Sequence, residues 1–232
     1  DHHEIPYDED ENGNRTYLRS EADAIVNPHQ LECPYPYKAL CGAAVAWKMV
    51  CLLYQKLGIS QEEADEFLEN VAFATVGDIM DLTGENRILV KEGLKRIHHT
   101  RNIGMQALIQ QCNLSPEQID CYHFGFVLGP CINASGRLET ASKALELLLC
   151  EDKEVAVERA NELVILNEER KSLTLEGTEL AKQICKEKGY ENDSVLVIYL
   201  PEVHESIAGI IAGRIREVYH KPTFILTRAE EG

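Results

Sequence analysis

The stretch from residue 155 to residue 188 constrains the fold more than any other part of this sequence. It is rich in Glu, Leu, Ala and Lys, and no proline occurs between Pro130 and Pro201. These residue types favour a helix, which a proline would interrupt. A helix of ~30 residues spans ~45 Å, about the width of a domain. We therefore predict one long connecting helix, interrupted at most slightly at Gly177. Leucines at heptad spacing leave a coiled coil as the alternative, although they are too few to establish one.

Strand patterns lie on both sides of this helix. After it, residues 194–199 and 223–226 read as strands around a helix at 207–219, an order that predicts a parallel pair. Before it, Ala22–Val26 reads as a short buried strand that Asn27-Pro28 stops. These patterns predict an α/β fold.

Helix signals fill most of the first part of the chain. We predict an acidic loop at 4–22 with a turn at Asn12-Gly13, and a core helix at 38–57 that Gly58 ends. Ser60 and Glu63 form a capping box that opens the helix leading to Asp78. Further helices are expected at 87–101, 101–112, from Ser115, and at 140–149.

The composition limits the class of protein. The chain has 232 residues, of which 44% are hydrophobic, and a formal net charge of −16. It has no apolar run of ~18 residues and no apolar signal peptide, so we expect a soluble, unexported, cytoplasmic protein with no membrane role. The eight cysteines form no C-x-x-C motif and are expected to be reduced, with disulfides as the alternative.

The distribution of charge bears on the partner. Strong acidity argues weakly against nucleic acid, because phosphate binding usually leaves a basic patch. However, Arg87, Lys91 and Lys95 recur every four residues and would share one helix face. A track for a phosphate backbone and a merely solvated face both remain open.

The first three residues, Asp1-His2-His3, combine a carboxylate with two imidazoles. This donor set suits Mn²⁺-type ions, and a protonated imidazole binds a phosphate oxygen. A purification tag is the alternative, but the Glu4-Ile5-Pro6 sequence and the acidic loop that follow are typical of native sequence. Asp78, in the segment 73–78, would supply a further carboxylate, unless it is an ordinary turn or cap residue.

Two other segments could bind phosphate. The glycine-rich segment 124–138 carries Asn133 and Arg137, which together with backbone amides would form a phosphate cradle. The alternative is a loop that only turns the chain, with Asn133 and Ser135 as helix caps. His204 lies just before a predicted helix, where it would either meet an anion or cap the helix.

These motifs occur in a fixed order along nearly the whole chain. They are Asp1-His2-His3, the segment 73–78, Gly84-Glu85-Asn86-Arg87, the segment 128–138, the Asn-Glu-Glu-Arg-Lys sequence at 167–171 and the segment 204–210. Together they resemble the RecJ-type single-strand-specific exonucleases of the DHH phosphoesterase superfamily. The resemblance implies the C-terminal part of a DHH phosphoesterase domain at 1–152, a connector helix at 153–190 and the beginning of a DHHA1-type substrate-binding domain at 191–232.

The same resemblance implies a function and a set of roles. It implies a cleft with two Mn²⁺ or Mg²⁺ ions in which single-stranded DNA is shortened from its 5′ end, in DNA repair and recombination. His2 and Asp78 would bind metal, His3 would contact the scissile phosphate and Asp1 would support the pair. The residues expected to face substrate phosphates are Asn133, Arg137, His204 and Arg214. A monomer is implied, with a helicase or single-strand-binding protein as a partner.

The sequence also departs from the family pattern. Family members carry an Asp-x-Asp motif upstream of the triplet and a Gly-Ser-Gly-Arg-Ser segment after the equivalent of Thr227, and Cys131 stands where many relatives have arginine. We therefore expect a fragment that is inactive by itself. A phosphoesterase for short oligonucleotides or cyclic dinucleotides is one alternative, and a non-catalytic nucleic-acid-binding scaffold is another. The long helix and the 129–138 segment favour the exonuclease over the first of these.

Overall fold

The computed structural model describes residues 1–228, which divide into two compact units. The first unit contains residues 1–101 and 113–129, and the second contains residues 102–112 and those from 130 onward. The α-helices are α1 (Gly42–Leu57), α2 (Gln61–Asp65), α3 (Leu68–Gly77), α4 (Gly84–Ile97), α5 (Ile103–Gln111), α6 (Cys121–His123), α7 (Gly129–Leu138), α8 (Ser142–Leu148), α9 (Lys153–Lys188) and α10 (Glu205–Tyr219). The strands are β1 (Tyr7–Glu9), β2 (Arg15–Tyr17), β3 (Leu196–Tyr199) and β4 (Thr223–Leu226). Short 3₁₀ helices occur at Pro116–Gln118 and Tyr190–Asn192, and a π-helical segment at Phe124–Leu128.

The acidic segment predicted to be a loop contains an antiparallel hairpin. Strands β1 and β2 pair with Tyr7 opposite Tyr17, and the two rings make an edge contact at 5.7 Å. Arg15 lies over the Tyr7 ring and pairs with Glu9 at 3.0 Å. Such cross-strand pairs stabilise a hairpin whose surface is otherwise acidic. The turn prediction is confirmed, because Gly13 adopts a φ of +80° there.

The predicted strand at Ala22–Val26 is wrong. This segment is irregular and mostly exposed, and no strand of residues 1–228 pairs with it. Its main chain bonds to other groups: the Val26 carbonyl accepts from the backbone nitrogen of Asp1, and the Ile25 carbonyl accepts from the Gln30 side chain. An apolar run forms a strand only where a partner edge supplies hydrogen bonds.

Three helices form the core of the first unit. Helix α1 begins four residues later than predicted and ends at Leu57, where Gly58 adopts a left-handed φ of 71° as predicted. Its N-terminal half packs on α3, but Met49, Leu52, Leu53 and Leu57 are exposed, so it is not buried all round. Ser60 caps α2 as predicted, by accepting from the Glu62 N–H. However, α2 ends at Asp65, and a separate helix, α3, leads to Asp78. The buried core residues are Leu40, Cys41, Ala44, Val45, Leu68, Val71 and Leu89.

The segment 124–138 is helical, so the alternative of a loop that only turns the chain is wrong. Its glycines permit close packing within and between helices instead of turning the chain. A Cβ on Gly129 would lie 2.5 Å from the Phe124 carbonyl oxygen, and one on Gly125 would meet Val76. The π-helical turn therefore requires a glycine at position 129. The backbone amides of this segment lie within helices, and a phosphate contact by Asn133 and Arg137 stays a prediction.

The long helix predicted from sequence is present as α9, which lies within the second unit; its role as a connector between domains stays a prediction. Its 36 residues begin at an N-cap, Asp152, whose side chain accepts from Glu154 and Val155. They end at Gly189, which adopts a left-handed φ of 70°. Gly177 does not interrupt the helix; a Cβ there would lie 2.5 Å from Cδ1 of Ile211, so it permits close approach to α10.

The predicted parallel pair is also present in the second unit. Strands β3 and β4 align with Leu196 opposite Thr223, and α10 lies between them in sequence. One face of β3 packs on α10 and α9 through Leu196, Ile198, Ile207, Ile211, Ile215, Ala181 and Cys185. The α/β class is confirmed. None of the helices in residues 1–228 is long and apolar enough to cross a membrane, and all eight cysteines have free thiols.

Candidate metal and phosphate sites

The Asp1-His2-His3 triplet forms a compact donor cluster in the first unit. One ligand atom from each of the three residues lies within 4.8 Å of the others. Within residues 1–228, this is the one group of three or more His, Cys, Asp or Glu side chains arranged in this way. Imidazole and carboxylate together suit Mn²⁺ and related divalent ions.

Asp1 shapes the triplet through hydrogen bonds. Its Oδ1 atom accepts from the backbone N–H of His2 at 2.7 Å and lies 2.6 Å from Nδ1 of His3. A carboxylate that is hydrogen-bonded to Nδ1 fixes the orientation of the imidazole ring and leaves Nε2 for another partner. Asp1 therefore orients His3, and its supporting role in catalysis stays a prediction.

Asp78 approaches this cluster from the end of α3. It is the C-terminal cap residue of the helix, and its N–H donates to the Ala74 carbonyl at 2.8 Å. Its Oδ2 atom lies 3.7 Å from Nε2 of His2. The structure thus brings together the two residues expected to bind metal, although they are 76 positions apart in sequence.

The surrounding residues explain why His2 and His3 are held there. A Cβ on Gly42, at the start of α1, would lie 3.3 Å from Nδ1 of His2. The neighbouring Cys41 contacts Thr75 of α3, with 3.3 Å between the sulfur and the hydroxyl oxygen. The side chain of Asn27, only 4% exposed, donates to the His3 carbonyl at 2.9 Å. Asn27 was assigned only a strand-stopping role from sequence, and Asn-Pro was the one signal it gave.

The predicted phosphate-binding residues lie in the second unit. Asn133 and Arg137 are exposed and four residues apart, so they share a face of α7. Arg137 Nη1 donates to the Ser206 carbonyl at 2.7 Å, which joins α7 to the start of α10. Arg214 is exposed on α10 itself. The structure therefore connects Arg137 to α10 and gives no direct contact between Asn133 and the other three residues.

His204 caps α10, which was one of its two predicted roles. Its Nδ1 atom accepts from the Ser206 N–H at 3.2 Å and lies 2.7 Å from the Ser206 hydroxyl. A neutral imidazole that accepts at Nδ1 carries its proton on Nε2. His204 therefore caps the helix and still presents a donor to an anion.

Sequence reasoning did not single out Arg170, which lies near Arg137 and Arg214 in the second unit. Burial, followed by the positive charges of Arg137 and Arg214, lowers the pKa of the Arg170 guanidinium. Its Nε and Nη2 atoms donate to Oδ1 of the buried Asn167 at 3.2 and 3.0 Å. The Asn-Glu-Glu-Arg-Lys motif at 167–171 was the signal, but in a helix rich in Glu and Lys it reads as surface charge.

Known proteins resemble this chain in sequence. It is 34% identical over 224 residues to the single-stranded-DNA-specific exonuclease RecJ of Dickeya dadantii, which covers 91% of this chain and 39% of the relative. It is 33% identical over 189 residues to RecJ of Thermus thermophilus, covering 82% of this chain and 27% of the relative. The chain spans about two fifths of the length of the first of these relatives. No protein-family model matches it.

Solved structures of RecJ also resemble this chain. The crystal structure of RecJ in complex with Mn²⁺ from Thermus thermophilus matches with a TM-score of 0.73 at 32% identity, over 83% of this chain and 28% of that one. The corresponding Mg²⁺ complex matches with a TM-score of 0.72 at 31% identity, over 84% and 30%. The resemblance of this chain to RecJ-type single-strand-specific exonucleases is therefore confirmed, in sequence and in fold.

Proposed function

We propose that this chain acts as part of a single-strand-specific 5′→3′ DNA exonuclease that hydrolyses phosphodiester bonds with divalent metal ions. The observation that carries the proposal is the approach of Asp78 to His2, at 3.7 Å, beside the Asp1–His3 pair. The relatives named above are single-stranded-DNA-specific exonucleases, and their crystal structures contain Mn²⁺ or Mg²⁺.

The residues present fit a divalent cation. His2 and Asp78 offer an imidazole nitrogen and a carboxylate oxygen on adjoining elements, and Gly42 leaves room for the His2 ring. Two such ions would activate the attacking water and stabilise the attacking and leaving oxygens of the phosphodiester. A pair of ions needs further carboxylates, which the upstream Asp motifs of the family would supply.

The other site residues would act on the phosphate directly. His3, oriented by Asp1 and 75% exposed in its side chain, would present Nε2 to an oxygen of the scissile phosphate. Asn133, Arg137, His204 and Arg214 would bind further phosphates of the strand. Arginine suits this role because its planar guanidinium donates two parallel hydrogen bonds to phosphate oxygens.

The wider assignments are part of the same proposal. We assign residues 1–152 to a DHH-type domain, 153–190 to a connector and 191–232 to the beginning of a DHHA1-type domain. The protein would act as a monomer in the cytoplasm, in DNA repair and recombination, with a helicase or single-strand-binding protein as partner. The long α9 helix and the parallel β3–β4 pair support the domain assignment.

The test is digestion of 5′-labelled single-stranded DNA by the full-length gene product. We expect Mn²⁺-dependent release of short products, which EDTA abolishes. His2→Ala and Asp78→Asn should lower the rate at least ~100-fold, because changes even to residues behind metal ligands cost 10–100-fold. His123→Ala is the matched control, since His123 also pairs with a carboxylate, Asp120, at 2.7 Å but outside the cluster.

Other outcomes would point to the alternatives. Hydrolysis of short oligonucleotides or cyclic dinucleotides, with little action on long strands, would favour the short-substrate phosphoesterase. Salt-dependent binding of single strands without metal-dependent cleavage would favour the non-catalytic scaffold. Equal rates for His2→Ala and the wild type would contradict the proposed metal site.

A further inference from the structure

We propose that Arg170, positioned by Asn167, is a further phosphate-binding residue that acts together with Arg137 and Arg214 in the second unit. This inference rests on the proposed function and adds to it a specific contact for Arg170, which lies in the Asn-Glu-Glu-Arg-Lys motif at 167–171. It assigns to Arg170 a contact with a phosphate of single-stranded DNA, and to Asn167 the orientation of Arg170.

The Asn167 side chain is held at both ends. It is 3% exposed, its Nδ2 atom donates to the sulfur of Cys131 at 3.5 Å, and its Oδ1 atom accepts twice from Arg170. Asn167 thereby fixes one edge of the Arg170 guanidinium and leaves the Nη1 side of the group for another acceptor.

The three arginines have no directly paired acid, although the charge of Glu168 opposes part of the shift in the Arg170 pKa. Among residues 1–228, no carboxylate oxygen lies within 4.0 Å of a guanidinium nitrogen of Arg137, Arg170 or Arg214. Other cations on α9 do have such partners: Arg159 pairs with Glu146 at 3.2 Å and Lys171 with Glu168 at 2.7 Å. Three arginines therefore share one region without a paired acid, in a chain whose net charge is −16.

This arrangement has an energetic consequence. A half-buried cation beside two like charges is unfavourable unless an anion joins them. The lowered pKa of Arg170 has these causes, burial first and the charges of Arg137 and Arg214 next. A bound phosphate would remove the repulsion and accept hydrogen bonds from the free side of the guanidinium. The three arginines belong to α9, α7 and α10, so a phosphate bound by Arg170 together with either of the others would contact two elements of the unit.

The first measurement is the equilibrium binding of fluorescent oligo(dT) to the full-length gene product in EDTA, at several salt concentrations. For Arg170→Gln we expect Kd to rise about tenfold, because a hydrogen bond to a charged group contributes ~1.5–3 kcal/mol. The slope of log K against log salt should become shallower by ~0.7, the value for one phosphate contact on a single strand.

Two further variants separate charge from positioning. Arg170→Lys should keep the salt slope and weaken binding, because lysine retains the charge but lacks the planar group that Asn167 holds. Asn167→Ala should weaken binding severalfold with an unchanged slope. Arg159→Gln is the matched control on the same helix, because its guanidinium is already paired with Glu146, and it should change neither quantity.

Thermal unfolding shows whether Arg170 is merely structural. In phosphate-free buffer the melting temperature of Arg170→Gln should equal or exceed that of the wild type, because repulsion is relieved. Added inorganic phosphate should raise the melting temperature of the wild type more than that of the variant. A variant that melts lower and still responds fully to phosphate would overturn the proposal.

The remaining outcomes distinguish this inference from the proposed function. Wild-type affinity and slope for Arg170→Gln, with a loss of both for Arg214→Gln, would overturn the role of Arg170 alone. Unchanged binding for Arg137→Gln, Arg170→Gln and Arg214→Gln in a protein that still digests DNA would overturn the whole arginine group. A wild type that neither binds nor digests single strands would contradict the proposed function itself.

Discussion

Glu69 shows how one buried acid sets the pH dependence of the first unit. It lies on α3 at 7% exposure, and its Oε1 atom accepts from the Thr100 hydroxyl at 2.7 Å. Burial raises the pKa of its carboxyl, although the Thr100 hydrogen bond and the charge of Arg96 oppose the shift. The carboxyl therefore has a higher pKa in the folded protein than in the unfolded one. Its contribution to the free energy of unfolding is fully present below the unfolded pKa and is lost as pH rises through the folded pKa.

We therefore expect Glu69→Gln to stabilise the protein at pH 7. The amide keeps an acceptor for Thr100 and removes a buried charge, so the free energy of unfolding should rise by ~1 kcal/mol. The gain should disappear below pH ~4, where an unfolded glutamate is itself protonated. Urea denaturation at pH 7 and pH 4 measures both values. Glu179→Gln, which loses an exposed ion pair to Lys182, is the control. A less stable Glu69→Gln at pH 7 would refute the prediction.

The site residues differ in how far sequence could reveal them. Asp1, His2 and His3 adjoin in sequence and Asp78 lies in a motif, so a donor cluster was predictable. The structure brings the four residues close together, and their binding of metal stays a prediction. Arg170 was not predictable, because its character comes from Arg137 and Arg214 on other helices and from the buried Asn167. Periodicity within α9 contains no information on those tertiary neighbours.

At the scale of elements, the contact between α3 and α4 holds Asp78 in place. A Cβ on Gly93 of α4 would lie 2.3 Å from both the Leu68 carbonyl oxygen and Cβ of Ala72 on α3. Neither of these atoms belongs to a flexible side-chain end, so the two helices would have to separate. The approach of α3 to α4 therefore depends on a glycine at position 93.

We expect Gly93→Ala to destabilise the protein by ~1–3 kcal/mol, the usual cost of overpacking a core. The matched control is Gly209→Ala in α10, where an added Cβ would meet nothing within 4 Å. That substitution should instead stabilise by up to ~1 kcal/mol, because alanine favours a helix interior. Chemical denaturation measures both; equal effects of the two substitutions would contradict the packing argument.

The elements that sequence predicted correctly are those specified locally. Helix α9 has its own N-cap in Asp152 and its own C-terminal glycine in Gly189, and both ends agree closely with prediction. The segments 22–26 and 124–138 depend on distant partners instead. The first has no strand to pair with in residues 1–228, and the glycines of the second serve helix packing rather than turns. The local sequence pattern does not show whether an apolar run has a strand partner, or whether a glycine serves a turn or helix packing.

At the scale of the whole molecule, the proposed binding of single-stranded DNA would require local positive charge on an acidic protein. The chain carries a net charge of −16, which repels a polyanion at long range. Helix α4 places Arg87, Lys91 and Lys95 on one exposed face, as predicted. Lys95 is paired with Glu92 at 2.7 Å, whereas no carboxylate of residues 1–228 lies within 4.0 Å of the Lys91 ammonium.

This difference makes Lys91 the residue that distinguishes a phosphate track from a solvated face. If the face attracts single-stranded DNA, Lys91→Gln should slow association severalfold at low salt, and screening should remove the difference at ~1 M salt, where the Debye length is ~3 Å. Lys95→Gln should have little effect, because the Lys95 charge is already paired on the same face. Stopped-flow binding of labelled oligo(dT) measures both rates. We expect Lys91 alone to show the salt-dependent effect, because its free charge adds to the attraction of the strand. Equal rates for the two variants and the wild type would mean that this face is only solvated and that DNA is drawn to the arginines of the second unit instead.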